Sequence, residues 1–250
     1  MALKAALQAL QAYYTELDGH RQATEHSTRV TTSTRLPRTR RSATNTSTKK
    51  SPAPDVYYIY PHPRAFIHRA SGKLQVFTYE TIMNGRSFLF TGKTAENKNI
   101  CIKFVRRYGL DVHLWFARKG YAPELIAFDT LSDGWFMVVM DLLDKSWIHL
   151  ADVEDPPGDL QHLIRSVLIQ LHQEKMVHGD LRDTNIMVKS DEKLKFMVLD
   201  YDWAGTQGEV KYPLFVNTTR GLWRPSDVED DVLISDRHDL AMVENMFRLL

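Results

Sequence analysis

Met176-Val177-His178-Gly179-Asp180-Leu181-Arg182-Asp183-Thr184-Asn185-Ile186-Met187-Val188 is the stretch on which the reading of this chain turns. It is a polar loop between two apolar flanks, and the second flank reads as a strand. Asp180 and Asn185 stand five residues apart in that loop. After a polar turn, Phe196-Met197-Val198-Leu199 reads as a further strand and delivers Asp200 at its end, where a side chain can leave a sheet toward a cleft. A carboxamide and a carboxylate from neighbouring loops suit Mg²⁺, which takes hard oxygen ligands and keeps waters and phosphate oxygens in its shell. Asp180 is then left over to orient a hydroxyl and accept its proton. Each of these residues, taken alone, is also an ordinary turn or cap residue. Their spacing, with His178 and Gly179 immediately before Asp180, points to a site.

Asp202 competes with Asp200 for the metal. Asp200 follows directly on the apolar strand Phe196 to Leu199 and is the expected ligand, with Asp202 expected on the opposite side. Tyr201 and Trp203 between and after them read as packing residues. Upstream, Leu160, Leu163, Ile164, Val167, Leu168 and Leu171 form one face of a helix, with Asp159 as its expected N-cap.

The first half of the body reads as β-rich. Strands are expected at 73–83, 87–91, 100–106, 125–131 and 135–140, with a helix at 110–119 ended by Gly120. Asn84-Gly85 between the first two strands is a hairpin signal, because both residues tolerate positive φ. Lys103 interrupts the otherwise apolar Ile100-Cys101-Ile102-Lys103-Phe104-Val105. By itself it reads as an edge-strand lysine reaching solvent; beside the carboxylates above it becomes a phosphate-binding candidate. Asp141-Leu142-Leu143-Asp144 reads as a connector to the second half.

The 250 residues carry 43% hydrophobic and 25% charged side chains, with 32 Lys and Arg against 31 Asp and Glu. Such a composition excludes a collagen-like or wholly disordered chain, and the lone Cys101 excludes a disulfide scaffold. Residues 1–20 read as an amphipathic helix and residues 21–54 as a disordered basic Ser/Thr-rich linker, with eight basic residues and one acid between 21 and 50. No aromatics interleave there to stack on bases, so nucleic acid is not the expected partner. Neither a secretory signal nor a membrane span is read, and with a single cysteine the expected compartment is intracellular, cytoplasmic or nuclear.

His178-Gly179-Asp180-Leu181-Arg182-Asp183-Thr184-Asn185-Ile186-Met187-Val188 resembles the catalytic loop of the protein-kinase-like superfamily, and Leu199-Asp200-Tyr201-Asp202-Trp203-Ala204-Gly205 resembles its metal-binding segment. With Gly208-Glu209-Val210-Lys211-Tyr212-Pro213 and His238-Asp239, the wording is most similar to fungal, notably basidiomycete, protein-kinase-like proteins. The resemblance covers about residues 75–250. It implies a bilobal α+β fold with a small β-rich N-lobe at 55–144 and a shortened, mainly helical C-lobe at 145–250. It implies ATP and Mg²⁺ as ligands and a hydroxyl acceptor, on a protein Ser/Thr by analogy. Lys103 would hold the α- and β-phosphates, Asp180 would be the base, and Arg182 would stand where a phosphate-contacting Lys is usual. Asn185 and Asp200 would bind Mg²⁺, and Met140 to Leu143 would form the hinge against the adenine. Asp239 resembles the buried helix aspartate that braces the catalytic loop.

Four departures from the pattern qualify those expectations. Only Gly85 stands near the phosphate-covering turn, where a Gly-rich loop is usual. Asp111, with Glu124 a poorer alternative, is the nearest residue to the helix acid that pairs with the strand lysine. Gly179 replaces an Arg that reads phosphorylated loops, as in small-molecule kinases of the aminoglycoside and choline kinase type. Leu250 falls where a full kinase continues with more helices. A catalytically weak nucleotide- or partner-binding module is the alternative these departures raise.

Overall fold

The computed structural model describes residues 62–83, 88–218 and 222–249. The helix expected at 1–20, the linker at 21–54 and the Asn84-Gly85 turn lie outside them.

The first half folds as one antiparallel sheet: β1 (Ala65–Ile67), β2 (Leu74–Ile82), β3 (Leu89–Thr94), β4 (Asn99–Val105), β5 (Leu125–Thr130) and β6 (Phe136–Asp141). Their order across the sheet is β1-β2-β3-β4-β6-β5. The period-2 pattern explains how the faces sort. Along β4, Ile100, Ile102 and Phe104 are buried among Phe66, Phe77, Phe90, Met137 and Val139 on one face. Cys101, Lys103 and Val105 occupy the other face, which packs toward the rest of the molecule. β4 lies between β3 and β6, with Lys103 opposite Leu89 on one side and Val138 on the other. Lys103 is therefore on a central strand, which removes the reading as an edge lysine. β1 was not expected from sequence; three residues are too few to display a period.

Helix α1 (Leu110–Arg118) connects β4 to β5. It serves both halves. Leu110 and Leu114 pack against the sheet, while Val112, Trp115 and Phe116 enter the core of the second half. Its start is fixed by a close approach. The Gly109 N–H donates to the Tyr201 carbonyl at 2.8 Å, and a Cβ at Gly109 would stand 2.6 Å from Ala204. Only glycine permits that contact.

The second half contains β7 (Trp147–His149), α2 (Gly158–Gln173), β8 (Met176–Val177), β9 (Ile186–Lys189), β10 (Glu192–Val198), β11 (Gly205–Thr206) and α3 (Asp236–Leu249). Leu160, Ile164, Val167, Leu168 and Leu171 of α2 are buried as their periodicity predicts. The helix begins one residue before Asp159, after Pro157, and has no side-chain cap, so Asp159 sits inside the first turn instead of at the N-cap. There it still favours the positive end of the helix. Residues 142–146 lead from β6 into β7, which pairs antiparallel with β9 and so extends the β9–β10 hairpin to three strands. Among the described residues, no helix is long and apolar enough to cross a membrane.

Candidate active site

A cleft of about 390 Å³ opens between the sheet and the β9–β10 hairpin. Leu89, Cys101, Met140, Leu142 and Leu143 line it from the sheet side, and Met187 and Leu199 from the other. These are flat, apolar contacts of the kind that hold a planar heterocycle. Burial pushes the Cys101 thiol up to about 12, so it presents a neutral surface there. Lys103, Asn185, Asp200 and Asp202 make the polar end of the same cleft.

Lys103 Nζ donates to Asp200 Oδ1 at 2.6 Å and to Asp202 Oδ1 at 2.5 Å. Two carboxylates on one ammonium leave a net negative charge beside the cleft. Burial opposes the ammonium, yet the two aspartates outweigh it and hold the Lys103 pKa above its ordinary value. The carboxylates respond in opposite directions. Burial pushes Asp202 up to about 6, with the neighbouring Asp200 adding to it, whereas Asp200 is held below the usual range because Lys103 overcomes its desolvation.

Asp200 and Asp202 were expected on opposite sides of a strand. They share Lys103 instead: residues two apart along an extended chain fall on one face, so alternation gives no ground for opposite sides, and the strand in any case ends at Val198 before Asp200 turns to φ 68°. A non-glycine residue in this conformation costs roughly 1 kcal/mol or more and persists where its surroundings fix it, as the lysine does here. The expected partnership of Lys103 with Asp111 is not formed. Asp111 is exposed in the first turn of α1, and Glu124 is exposed before β5. The acids that hold Lys103 come from the segment after β10 instead, because α1 directs its buried side chains Val112 and Trp115 into the second core.

The loop before β9 is braced from α3. Asp239 is buried and accepts the His178 N–H and the Gly179 N–H, each at 2.8 Å, with His172 Nε2 at 3.2 Å. Asp239 lies in the first turn of α3 but its carboxylate serves the loop, not the helix. The His178 ring is also buried, which lowers its pKa and keeps it neutral; Nε2 donates to the Leu199 carbonyl at 3.1 Å and Nδ1 accepts the Asp180 N–H at 3.2 Å. Gly179 has φ 83°, and a Cβ there would meet Ile234 Cδ1 at 2.7 Å. Conformation and space both require glycine at this position.

Asp180 does not line the cleft, and its side chain is only 8% exposed. Asn185 Nδ2 donates to its carbonyl oxygen at 2.9 Å and to Oδ2 at 3.1 Å, so the carboxamide face left for a cation is oxygen. Arg182 Nη2 also reaches Oδ2, at 3.0 Å. Oδ1 is taken by Arg224 Nη2 at 2.5 Å. Arg224 was not anticipated; it lies 44 residues from Asp180 along the chain, in a stretch with no periodic signal. Met140 and Leu143, the expected hinge, line the cleft, so of the anticipated site residues only Asp111 stands apart from the cleft and the adjoining loop at 178–185.

The oxygen donors of Asn185, Asp200 and Asp202 are hard ligands and fit Mg²⁺ shared with phosphate oxygens. Among the described residues no group of three or more His, Cys, Asp or Glu could hold a metal by itself.

Residues 131–204 match the RIO domain family. In structure the chain is similar to the Cydia pomonella granulovirus kinase PK-1, with a TM-score of 0.53 and 19% identity over 67% of this chain and 65% of that one. It is similar to vaccinia related kinase 3 (TM-score 0.51, 16% identity, 76% and 68% of the two chains) and to the BubR1 kinase domain (0.52, 10%, 78% and 67%). The chain has a protein-kinase-like fold. The bilobal α+β architecture follows from that likeness, whereas the narrower fungal likeness rests on the wording of the sequence alone. The kinase-like chain spans just under two thirds of the granulovirus kinase. No curated protein matches it in sequence.

Proposed function

We propose that this chain is an ATP- and Mg²⁺-dependent phosphotransferase that moves the γ-phosphoryl group to a hydroxyl, with protein Ser/Thr as the acceptor favoured by the fold. The observation that carries this reading is the convergence of Lys103 with Asp200 and Asp202 at the polar end of an apolar cleft. Residues 55–144 would form the nucleotide-side lobe and 145–250 the acceptor-side lobe. The adenine would lie against Met140 to Leu143, with Lys103 on the α- and β-phosphates. Asn185 and Asp200 would hold Mg²⁺, which would supply neutralisation of phosphate charge. Asp180 would accept the acceptor's proton as the new P–O bond forms and the β–γ bridging bond breaks, its electron pair leaving with ADP. Arg182 would stabilise charge on the transferring group.

ATP turnover with Mg²⁺, measured for the wild type and Asp180→Asn, tests the proposal. Loss of the base should lower turnover by about 10²-fold or more while nucleotide affinity is retained. Activity unaffected by the substitution would sink it. A second reading, a nucleotide- or partner-binding module of weak activity, draws support from the three donors that already engage the Asp180 carboxylate. Nucleotide-dependent thermal stabilisation with no turnover under any acceptor would favour that module. A small-molecule acceptor would be consistent with Gly179 and is tested by the same assay with polyol and aminoglycoside substrates.

A further inference from the structure

Arg224 holds the carboxylate oxygen of Asp180 that an acceptor hydroxyl would have to reach if Asp180 is the base. Its Nη2 holds Asp180 Oδ1 at 2.5 Å, and its Nε donates to the Asn217 carbonyl at 3.1 Å. The guanidinium also lies over the Trp203 ring, 4.8 Å from its centroid. The side chain is 2% exposed, yet Nη1 has no hydrogen-bond partner among the described residues. Arg182, on the other oxygen, likewise leaves its buried Nε without one. Two guanidinium groups thus face a single carboxylate, with donor capacity left over.

Opening this contact for a neutral acceptor would strand a buried guanidinium without an anion, which is strongly disfavoured. An acceptor that brings its own anion removes that obstacle. Arg–carboxylate and Arg–phosphate pairs form with two parallel N–H···O bonds, and Nη1 beside Nη2 supplies the second donor of that fork. We propose that Arg224 selects the acceptor: a hydroxyl reaches Asp180 only when a carboxylate or phosphate beside that hydroxyl takes over the Arg224 guanidinium. Asp180 Oδ1 is then free to receive the hydroxyl proton as the phosphoryl group is transferred. The inference rests on the phosphotransferase reading and adds to it the substrate class, a hydroxyl with an adjacent anion.

Two measurements on the full chain separate the two claims. In the first, fluorescein-labelled Ser peptides differing only in Glu or Gln beside the serine are titrated by anisotropy without nucleotide. In the second, phosphotransfer is followed with the same peptides, and with a polyol phosphate against its parent polyol, which tells a peptide source of the anion from a small-molecule one. The wild type should prefer the anionic member of at least one pair about tenfold or more in binding and in KM. Arg224→Gln should abolish that preference with the KM for ATP unchanged, and Arg224→Lys should restore part of it. The conservative variant keeps the test valid if the Gln variant folds poorly. An undiminished preference in Arg224→Gln overturns the proposal. So does faster turnover of anionic and neutral acceptors alike, which would make Arg224 a plain plug. Absence of phosphotransfer in every arm defeats the phosphotransferase reading, whereas equal binding of both members of each pair defeats the Arg224 assignment.

Discussion

Lys103 holds two aspartates that do not share the consequences equally. Asp202 is a third exposed yet is pushed up to about 6, first by burial and then by the charge of Asp200. A carboxyl whose folded value exceeds its ordinary 3.8 binds its proton more tightly in the folded state, so its contribution to stability declines as pH rises from about 4 to about 6. Asp202→Asn removes that dependence and leaves Asp200 as the lysine's partner. The variant should unfold at a higher temperature than the wild type at pH 7.5, and the difference should vanish near pH 4. Parallel melting curves at both pH values check this, and a variant less stable at pH 7.5 would show that the second carboxylate is a net stabiliser.

Helix α1 carries the opposite dependence on acid. His113 is fully buried, stacked on Tyr201 with ring centroids 4.6 Å apart at 8°. Tyr108 Oη donates to its Nδ1 at 2.7 Å, and its Nε2 donates to the Pro123 carbonyl at 2.9 Å. Burial lowers its pKa to about 4. Between 6.5 and about 4 the unfolded chain takes up a proton that the folded chain refuses, so stability is fully present above 6.5 and is lost as pH falls through that window. The depression corresponds to about 3 kcal/mol. His113→Gln should be less stable at pH 7.5, because a well-packed ring is lost, yet should lose less on acidification. Unfolding free energies from denaturant melts at pH 7.5 and pH 4.5 test the slope. Because α1 contributes to both cores, this histidine couples acid sensitivity to the packing between the sheet and the loop that carries Tyr201.

At the scale of the molecule, the cleft lies between a sheet with its own aromatic core and a helical half with another. A ligand that bridges them binds the folded state alone. At one hundred times its dissociation constant such a ligand adds about 2.7 kcal/mol. For a body of this size that corresponds to a rise in Tm of about 5–10 °C. Mg²⁺ with a non-hydrolysable ATP analogue should produce that rise, and Lys103→Met should remove it. An equal shift in the variant would separate nucleotide binding from Lys103.

The sequence by itself determined most of the elements. Short strand-like stretches set β2 to β6, a 3.6-residue period set α2, and the spacing of Asp180, Asn185 and Asp200 marked the site, because each of these signals is local to its own stretch of chain. What only the tertiary structure decided were partnerships between distant segments. Lys103 meets acids 97 and 99 residues away, where a nearby helix acid was expected, and Asp202 joins Asp200 on the same ammonium, where Asp200 alone was expected. Arg224 reaches Asp180 across 44 residues, and β7 finds β9 from a stretch three residues long. Local spacing specifies which way a side chain points from its own element. Which opposing side chain it meets depends on how the elements pack, and no periodicity along the chain encodes that.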